Sequence, residues 1–168
     1  HADHLDFFKD LADIEHSFHQ FAQLVPAGTG RVVVNLDDEG ARAAVEGLDR
    51  PVFTYSVRDH SADCCADNVA FFDGFGAFDV VIRGQCYAHV TLHVPGKHNV
   101  SNALAAASAA YLLGVDGKAV EEGLAAFTGA GRRFEHKGVY HGAEVYDDYA
   151  HHPDEVEALL SAVRPLPH

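Results

Sequence analysis

Apolar residues at Phe7, Leu11, Ile14, Phe18, Phe21 and Val25 recur at steps of three and four, the spacing that lines one side of an α-helix. Pro26-Ala27-Gly28-Thr29-Gly30 ends that pattern. Arg31 to Leu36 (RVVVNL) is a short, continuous β-branched run, as expected of a strand covered on both faces. Asp37-Asp38-Glu39 then offers an N-cap and an acidic first turn for a helix near Glu39 to Gly47. Pro51 to Val57 reads as the next strand, completing a strand-helix-strand unit that favours parallel pairing. From Cys64 to Val94 the pattern changes. Three runs follow one another, separated only by Asp73-Gly74-Phe75-Gly76 and Gly84-Gln85. The last of them alternates His89, Thr91 and His93 with Val90, Leu92 and Val94, the signature of antiparallel strands with one wet face.

Gly96 breaks the strand pattern, and a helix is predicted from about Asn99 to Leu113, with six alanines among the eight residues Ala103 to Ala110. Small residues let such a helix lie close against a sheet. Gly114 stops it, Asp116 caps another from Gly117 to Phe127, and Gly129-Ala130-Gly131 makes a break read as a domain boundary. The expected division is therefore 1–130 and 131–168. Beyond the break lie strands at Phe134 to Tyr140 and Ala143 to Asp147, a turn at His141-Gly142, and a helix opened by Pro153 with Asp154 and Glu155 beside it. A hairpin and one helix bury little surface, so 131–168 is expected to be the opening of a larger domain. The fold class is α/β: parallel strands with helices, a small antiparallel sheet, then this hairpin and helix.

Composition narrows the function. The chain has 168 residues, 48% apolar, with 25 acids, 12 bases and 13 histidines, a formal charge of -13. That balance argues against a broad phosphate-neutralising surface and hence against nucleic acid as a partner; an anionic ligand must be held locally. The longest apolar stretch, Ala103 to Val115, is interrupted by Ser108 and Gly114 and falls short of the ~20 residues of a membrane helix. Cys64, Cys65 and Cys86 form no CxxC pair, which fits reduced, half-buried thiols and a cytoplasmic location. The chain contains no methionine, as expected of a piece of a longer polypeptide.

No Walker A sequence is present: Gly96-Lys97 and Gly117-Lys118 lack a following Ser or Thr. The glycine pairs Gly28/Gly30, Gly74/Gly76 and Gly129/Gly131 lack the third glycine of a dinucleotide fingerprint. Four segments nevertheless carry chemistry. Pro95 to Asn102 (PGKHNVSN) stands between strand and helix and sets Asn99 and Asn102 one turn apart, where two carboxamides could read a base edge with His98 beside them; helix capping is the plainer use. Gly131 to Glu135 (GRRFE) opens a cluster in which Arg132, Arg133 and Lys137 fall within six positions of an acidic chain; its arginines can fork onto phosphate oxygens or simply pair with Glu135. Asp147 to Pro153 (DDYAHHP) packs two carboxylates, a phenol and two imidazoles into a strand-to-helix turn, suited to metal ligation or to contacts with a nucleotide and a carboxylate. Asp3-His4-Leu5-Asp6 is a weaker signal.

Taken in order, DHLDFF at Asp3 to Phe8, PGKHNVSNALAA at Pro95 to Ala106, GAGRRFE at Gly129 to Glu135 and DDYAHHPDEV at Asp147 to Val156 resemble the Mur ligases over essentially the whole chain. The resemblance implies the second half of a central ATP-binding domain followed by the start of a doubly wound C-terminal domain. It also implies ATP-dependent amide formation in peptidoglycan precursor synthesis, with Mg2+, UDP-N-acetylmuramate and L-alanine, through an acyl phosphate. By motif, His4 resembles a histidine that helps place a magnesium ion. His98, Asn99 and Asn102 match the adenine side, Arg133 a phosphate-contacting arginine and Asp148 a nucleotide-contacting aspartate. Tyr149 and His151 fall where substrate is met, and Arg133 with His151 are the expected catalytic pair. The family's phosphate loop, metal-binding glutamate and UDP-sugar domain are not among these residues, so the chain alone is expected to be inactive. Rival readings are a murein-tripeptide ligase of the same family, and a non-catalytic metal-binding module using Asp147, Asp148, His151 and His152.

Overall fold

The computed structural model describes residues 7–166. Its elements run α1 (Leu11–Gln23), β1 (Val32–Asn35), α2 (Glu39–Val45), β2 (Val52–Ser56), β3 (Cys64–Phe72), β4 (Phe75–Ile82), β5 (Gln85–Pro95), α3 (His98–Leu112), α4 (Gly117–Ala126), β6 (Glu135–Tyr140), β7 (Ala143–Asp147) and α5 (Pro153–Val163). Aspartates start three of the helices: Asp10, Asp38 and Asp116 each accept a hydrogen bond from the backbone N–H three residues on. Asp38 therefore takes the cap offered by the Asp37-Asp38 pair, and Asp37 is released for other contacts.

β1 to β5 form one sheet in sequence order. β1 pairs parallel with β2, and β2 with the first residues of β3; β3, β4 and β5 then pair antiparallel. The parallel unit and the antiparallel strands are thus a single mixed sheet, joined where Ser56 meets Cys65. β6 and β7 make a separate antiparallel hairpin.

Alternation decides which face packs. Phe78, Val80 and Ile82 of β4 and Ala88, Val90, Leu92 and Val94 of β5 point inward with Phe53, Val100, Ala103, Leu104 and Ala107, while His89, Thr91 and His93 stay in solvent. The alanines of α3 serve this packing: Ala103 and Ala107 are at most 4% exposed and bring the helix onto the sheet. Phe53, Val80, Val100 and Leu104 are at most 1% exposed, and full burial of such a side chain is worth roughly 1.5–3 kcal/mol. Cys64 and Cys65 are buried and Cys86 is exposed, so the thiols are free but not uniformly half-buried. α4 covers the outer edge of β5, where Glu121 accepts the His89 backbone N–H at 2.7 Å and the Tyr87 hydroxyl donates to the Val115 carbonyl. The apolar stripe of α1 stays largely in solvent, with Phe18 60% and Phe21 70% exposed.

Candidate functional site

β5 runs parallel to β1, so its end at Pro95 leaves the sheet on the carboxyl side of β1 and β2, the side on which open α/β sheets bind ligands. Gly96 makes the turn into α3 with φ +102°. A Cβ there would stand 2.7 Å from the His98 ring and 2.9 Å from Ala162 Cβ of α5, so only glycine lets these three segments meet. The ring of His98 folds back over this turn and keeps one edge in solvent. Burial of the remainder pushes its pKa down; Arg133 acts in the same direction and Asp148 opposes it. Three residues that the sequence singled out in three different segments therefore share one electrostatic neighbourhood.

The asparagines form a chain rather than two independent readers. Asn99 Nδ2 donates to the Pro95 carbonyl at 2.8 Å, and Asn102 Nδ2 donates to Asn99 Oδ1 at 3.0 Å. Neither serves as the N-cap of α3, which falls at Lys97 without a side-chain bond. Asn99 anchors; Asn102, exposed, keeps its carbonyl oxygen and its second amide proton for a ligand. One acceptor beside one donor is the pairing by which a carboxamide matches the N6/N7 edge of adenine.

Beyond Gly129-Ala130-Gly131 the chain is held in a tight conformation. Arg132 and Phe134 adopt left-handed φ of 58° and 49°, which is uncommon outside glycine and needs local compensation. Asp148 provides much of it: Oδ2 accepts from Phe134 N–H and Oδ1 from Ala150 N–H, each at 2.7 Å. Tyr149 N–H donates to the Arg132 carbonyl at 2.9 Å, and Phe134 stacks on Tyr146 at 4.3 Å. Asp148 is therefore a clasp between the two loops as well as a charge facing His98.

The two arginines part company. Arg132 lies over the Tyr149 ring at 4.5 Å and 3.9 Å from Asp147. Arg133 points instead to Glu155, at a loose 3.8 Å, and stays more than half exposed. The expected pairing with Glu135 is not what holds either guanidinium: Glu135 binds Lys137 Nζ at 2.9 Å and the Arg132 backbone N–H at 2.9 Å. Glu155, read from sequence only as a first-turn acid of α5, receives the His151 and His152 backbone N–H groups, which lower its pKa. His151 Nδ1 sits 2.8 Å from the Tyr149 carbonyl. In the tautomer that donates there, Nε2 is left as a base.

The alternative metal set does not form. Asp148 is turned to backbone N–H groups, Asp147 to Arg132, and His152 caps α5; among the described residues these four do not gather around a common point. His4 lies outside the described residues, as does the start of the Asp3 to Phe8 motif.

One cluster was not visible in the sequence. At the carboxyl ends of β1 and β2, Asp37 accepts from Ser56 Oγ and Val57 N–H, each at 2.7 Å, and from Arg58 Nε at 3.2 Å. Asn35 Nδ2 reaches Ser101 Oγ of α3 at 3.5 Å, and burial raises the pKa of Tyr55 beside it. The one available signal was a second aspartate next to a cap that needs only one.

The carboxyl side of this mixed α/β sheet thus carries an exposed carboxamide, an exposed arginine and a clasped aspartate. The profile of the Mur ligase middle domain matches residues 1–110, and that of the Mur ligase glutamate ligase domain matches residues 132–168. The chain belongs to the Mur ligase family. It is 44% identical over 168 residues to the UDP-N-acetylmuramate–L-alanine ligase of Caldanaerobacter subterraneus subsp. tengcongensis, covering 99% of this chain and 36% of that protein. Among solved structures it is similar to UDP-N-acetylmuramate-alanine ligase from Thermotoga maritima, with 28% identity and a TM-score of 0.77 over 98% of this chain and 36% of that one. A murein peptide ligase from Psychrobacter arcticus shows 32% identity and a TM-score of 0.70, covering 89% of this chain and 31% of that one. The chain thus spans about a third of the length of these relatives.

Proposed function

We propose that this chain is the nucleotide-facing part of an ATP-dependent ligase that joins L-alanine to UDP-N-acetylmuramate in peptidoglycan precursor synthesis. In this reading a substrate carboxylate oxygen attacks the γ-phosphorus of ATP, ADP leaves, and an acyl phosphate forms. The alanine amine then attacks the carbonyl carbon, phosphate departs and the amide remains. The observation that carries the proposal is the approach of α5 to the Gly96–His98 turn from across the 129–131 break, which brings the charges of Asp148 and Arg133 near enough to act on His98. Asn102, held by Asn99, takes the adenine edge; Arg133, only loosely paired, swings to the phosphates and offsets the charge that builds on transfer. Tyr149 and His151 face the second substrate. His4 would help hold Mg2+, which would offset charge on the phosphates. We also assign 1–130 and 131–168 to separate domains and the protein to the cytoplasm, a compartment that supplies ATP and nucleotide sugars.

The test uses the intact ligase that contains this chain. Arg133→Ala is expected to lower kcat by about 10²-fold, the usual cost of losing one transition-state charge donor. Asn102→Ala is expected to raise the KM for ATP about tenfold, as for loss of one bidentate base contact. Wild-type values in both variants would refute these roles. The murein peptide ligase similarity keeps a second substrate open, and turnover with L-alanine against the tripeptide decides between them. Taken alone, the 168 residues are expected to show no ATP hydrolysis, since they hold no Walker A loop.

A further inference from the structure

The β4–β5 ladder is irregular at two places, and the one between Val80 and Val81 breaks the alternation of β5. Val80 pairs with Ala88 but Val81 with Cys86, so Tyr87 is an extra residue on β5. In an unbroken strand Cys86 and His89, three residues apart, point to opposite faces; the bulge returns them to the same one. Asp79 pairs with His89 across the ladder and shares that solvent face. The three side chains converge. His89 Nδ1 lies 2.6 Å from Asp79 Oδ1, Cys86 Sγ lies 3.8 Å from His89 Nε2, and one donor atom from each residue falls within 4.8 Å of the others.

The surroundings look after these donors as second-layer groups do around metals. Asn68, at a left-handed φ of 53° beside an irregularity in β3, donates to Asp79 Oδ2 at 2.6 Å and leaves Oδ1 toward His89. Glu121 of α4 fixes the His89 backbone at 2.7 Å. Cys86 is exposed, unlike the other two cysteines. We propose that Asp79, Cys86 and His89 bind a zinc-type divalent cation, with a fourth position open to water. A thiolate, a carboxylate and a neutral imidazole together carry the charge that cancels a divalent ion, and this mixed sulfur, nitrogen and oxygen set suits zinc rather than magnesium. Bonds of about 2.0–2.3 Å need the imidazole and carboxylate to separate slightly from their present hydrogen bond, which rotation of the exposed His89 ring supplies. The ion takes Cys86 as the thiolate, so its uptake releases a proton. None of these residues belongs to the nucleotide site, and the ion would tie β4 to the bulged segment of β5.

The test is titration of Zn2+ and Co2+ into the reduced 168-residue chain. Expected are one ion per chain, a thiolate-to-Co2+ charge-transfer band, a rise in Tm with Zn2+, and protection of Cys86 from iodoacetamide. Cys86→Ser removes the band, and His89→Ala and Asp79→Asn each weaken Zn2+ binding at least tenfold, with far-UV circular dichroism reporting the fold. Alkylation of wild-type Cys86 abolishes the band without any substitution. Absence of stoichiometric binding, or binding unchanged by Cys86→Ser and His89→Ala, overturns the proposal.

Discussion

Asp37 shows how little of a residue's role its immediate neighbours in sequence reveal. It reads as a helix cap, yet Asp38 caps α2 and Asp37 instead collects Ser56, Val57 and Arg58 across the ends of β1 and β2. Burial pulls its pKa up, but these three donors together outweigh that and lower it. The sign follows: a carboxylate whose folded pKa is depressed adds stability above its unfolded pKa of about 3.9, and that stability is lost as pH falls through the folded value. Asp37→Asn is expected to cost about 1.5–3 kcal/mol at neutral pH, the range for hydrogen bonds to a charged group. Urea unfolding near pH 7 and again near pH 3 checks this, the gap to wild type narrowing at the lower pH. A gap that does not change with pH would show that the charge of Asp37 contributes nothing. The placement of the motif residues is more legible because it is set locally. Asn99 and Asn102 sit one turn apart as their spacing requires, but that Asn99 is spent on the Pro95 carbonyl depends on the path of the turn, which no spacing reports.

At the scale of elements, every helix and strand between Leu11 and Val163 was anticipated within a few residues, because periodicity and capping chemistry are written locally. What the chain does not announce is where alternation fails. Tyr87 gives no sign of being a bulge, and with it the grouping of Cys86 and His89 stays hidden until the ladder is traced. The turn from β5 to α3 is the opposite case: Gly96 is visible in sequence as a breaker, and the structure supplies the reason it cannot be anything else. Gly96→Ala imposes a positive φ on a residue with a Cβ and drives that atom toward His98 and Ala162. A loss of about 1–3 kcal/mol is expected from the backbone conformation. Because the clash also lifts α5 from the turn, limited proteolysis should cut within α5 sooner than in wild type. Unchanged urea stability together with unchanged proteolysis would mean that the three segments do not meet at Gly96 in solution.

For the molecule as a whole, the decisive contact is between segments on opposite sides of the Gly129-Ala130-Gly131 break, and His98 is the natural reporter of it. Its pKa is lowered first by burial, with Asp148 raising it and Arg133 lowering it, both from beyond the break. Since its folded pKa lies below the unfolded value of about 6.5, the imidazole is neutral at pH 7. The stability this confers is complete above that unfolded value and declines as pH falls toward the folded one. Two substitutions separate the effects. Asp148→Asn removes the attraction for the imidazolium and should move the His98 midpoint further down; Arg133→Ala removes a repulsion and should move it up. The measurement is an NMR titration following the His98 ring Cε1–H in the reduced chain, with each variant checked for an unchanged pattern of core methyl shifts. Opposite shifts in the two variants establish that both charges face the α3 turn, the arrangement on which the proposed nucleotide site depends. If His98 titrates at its ordinary value and ignores both substitutions, the hairpin and α5 do not dock against α3, and the roles given to Arg133 and Asp148 would fall with that geometry.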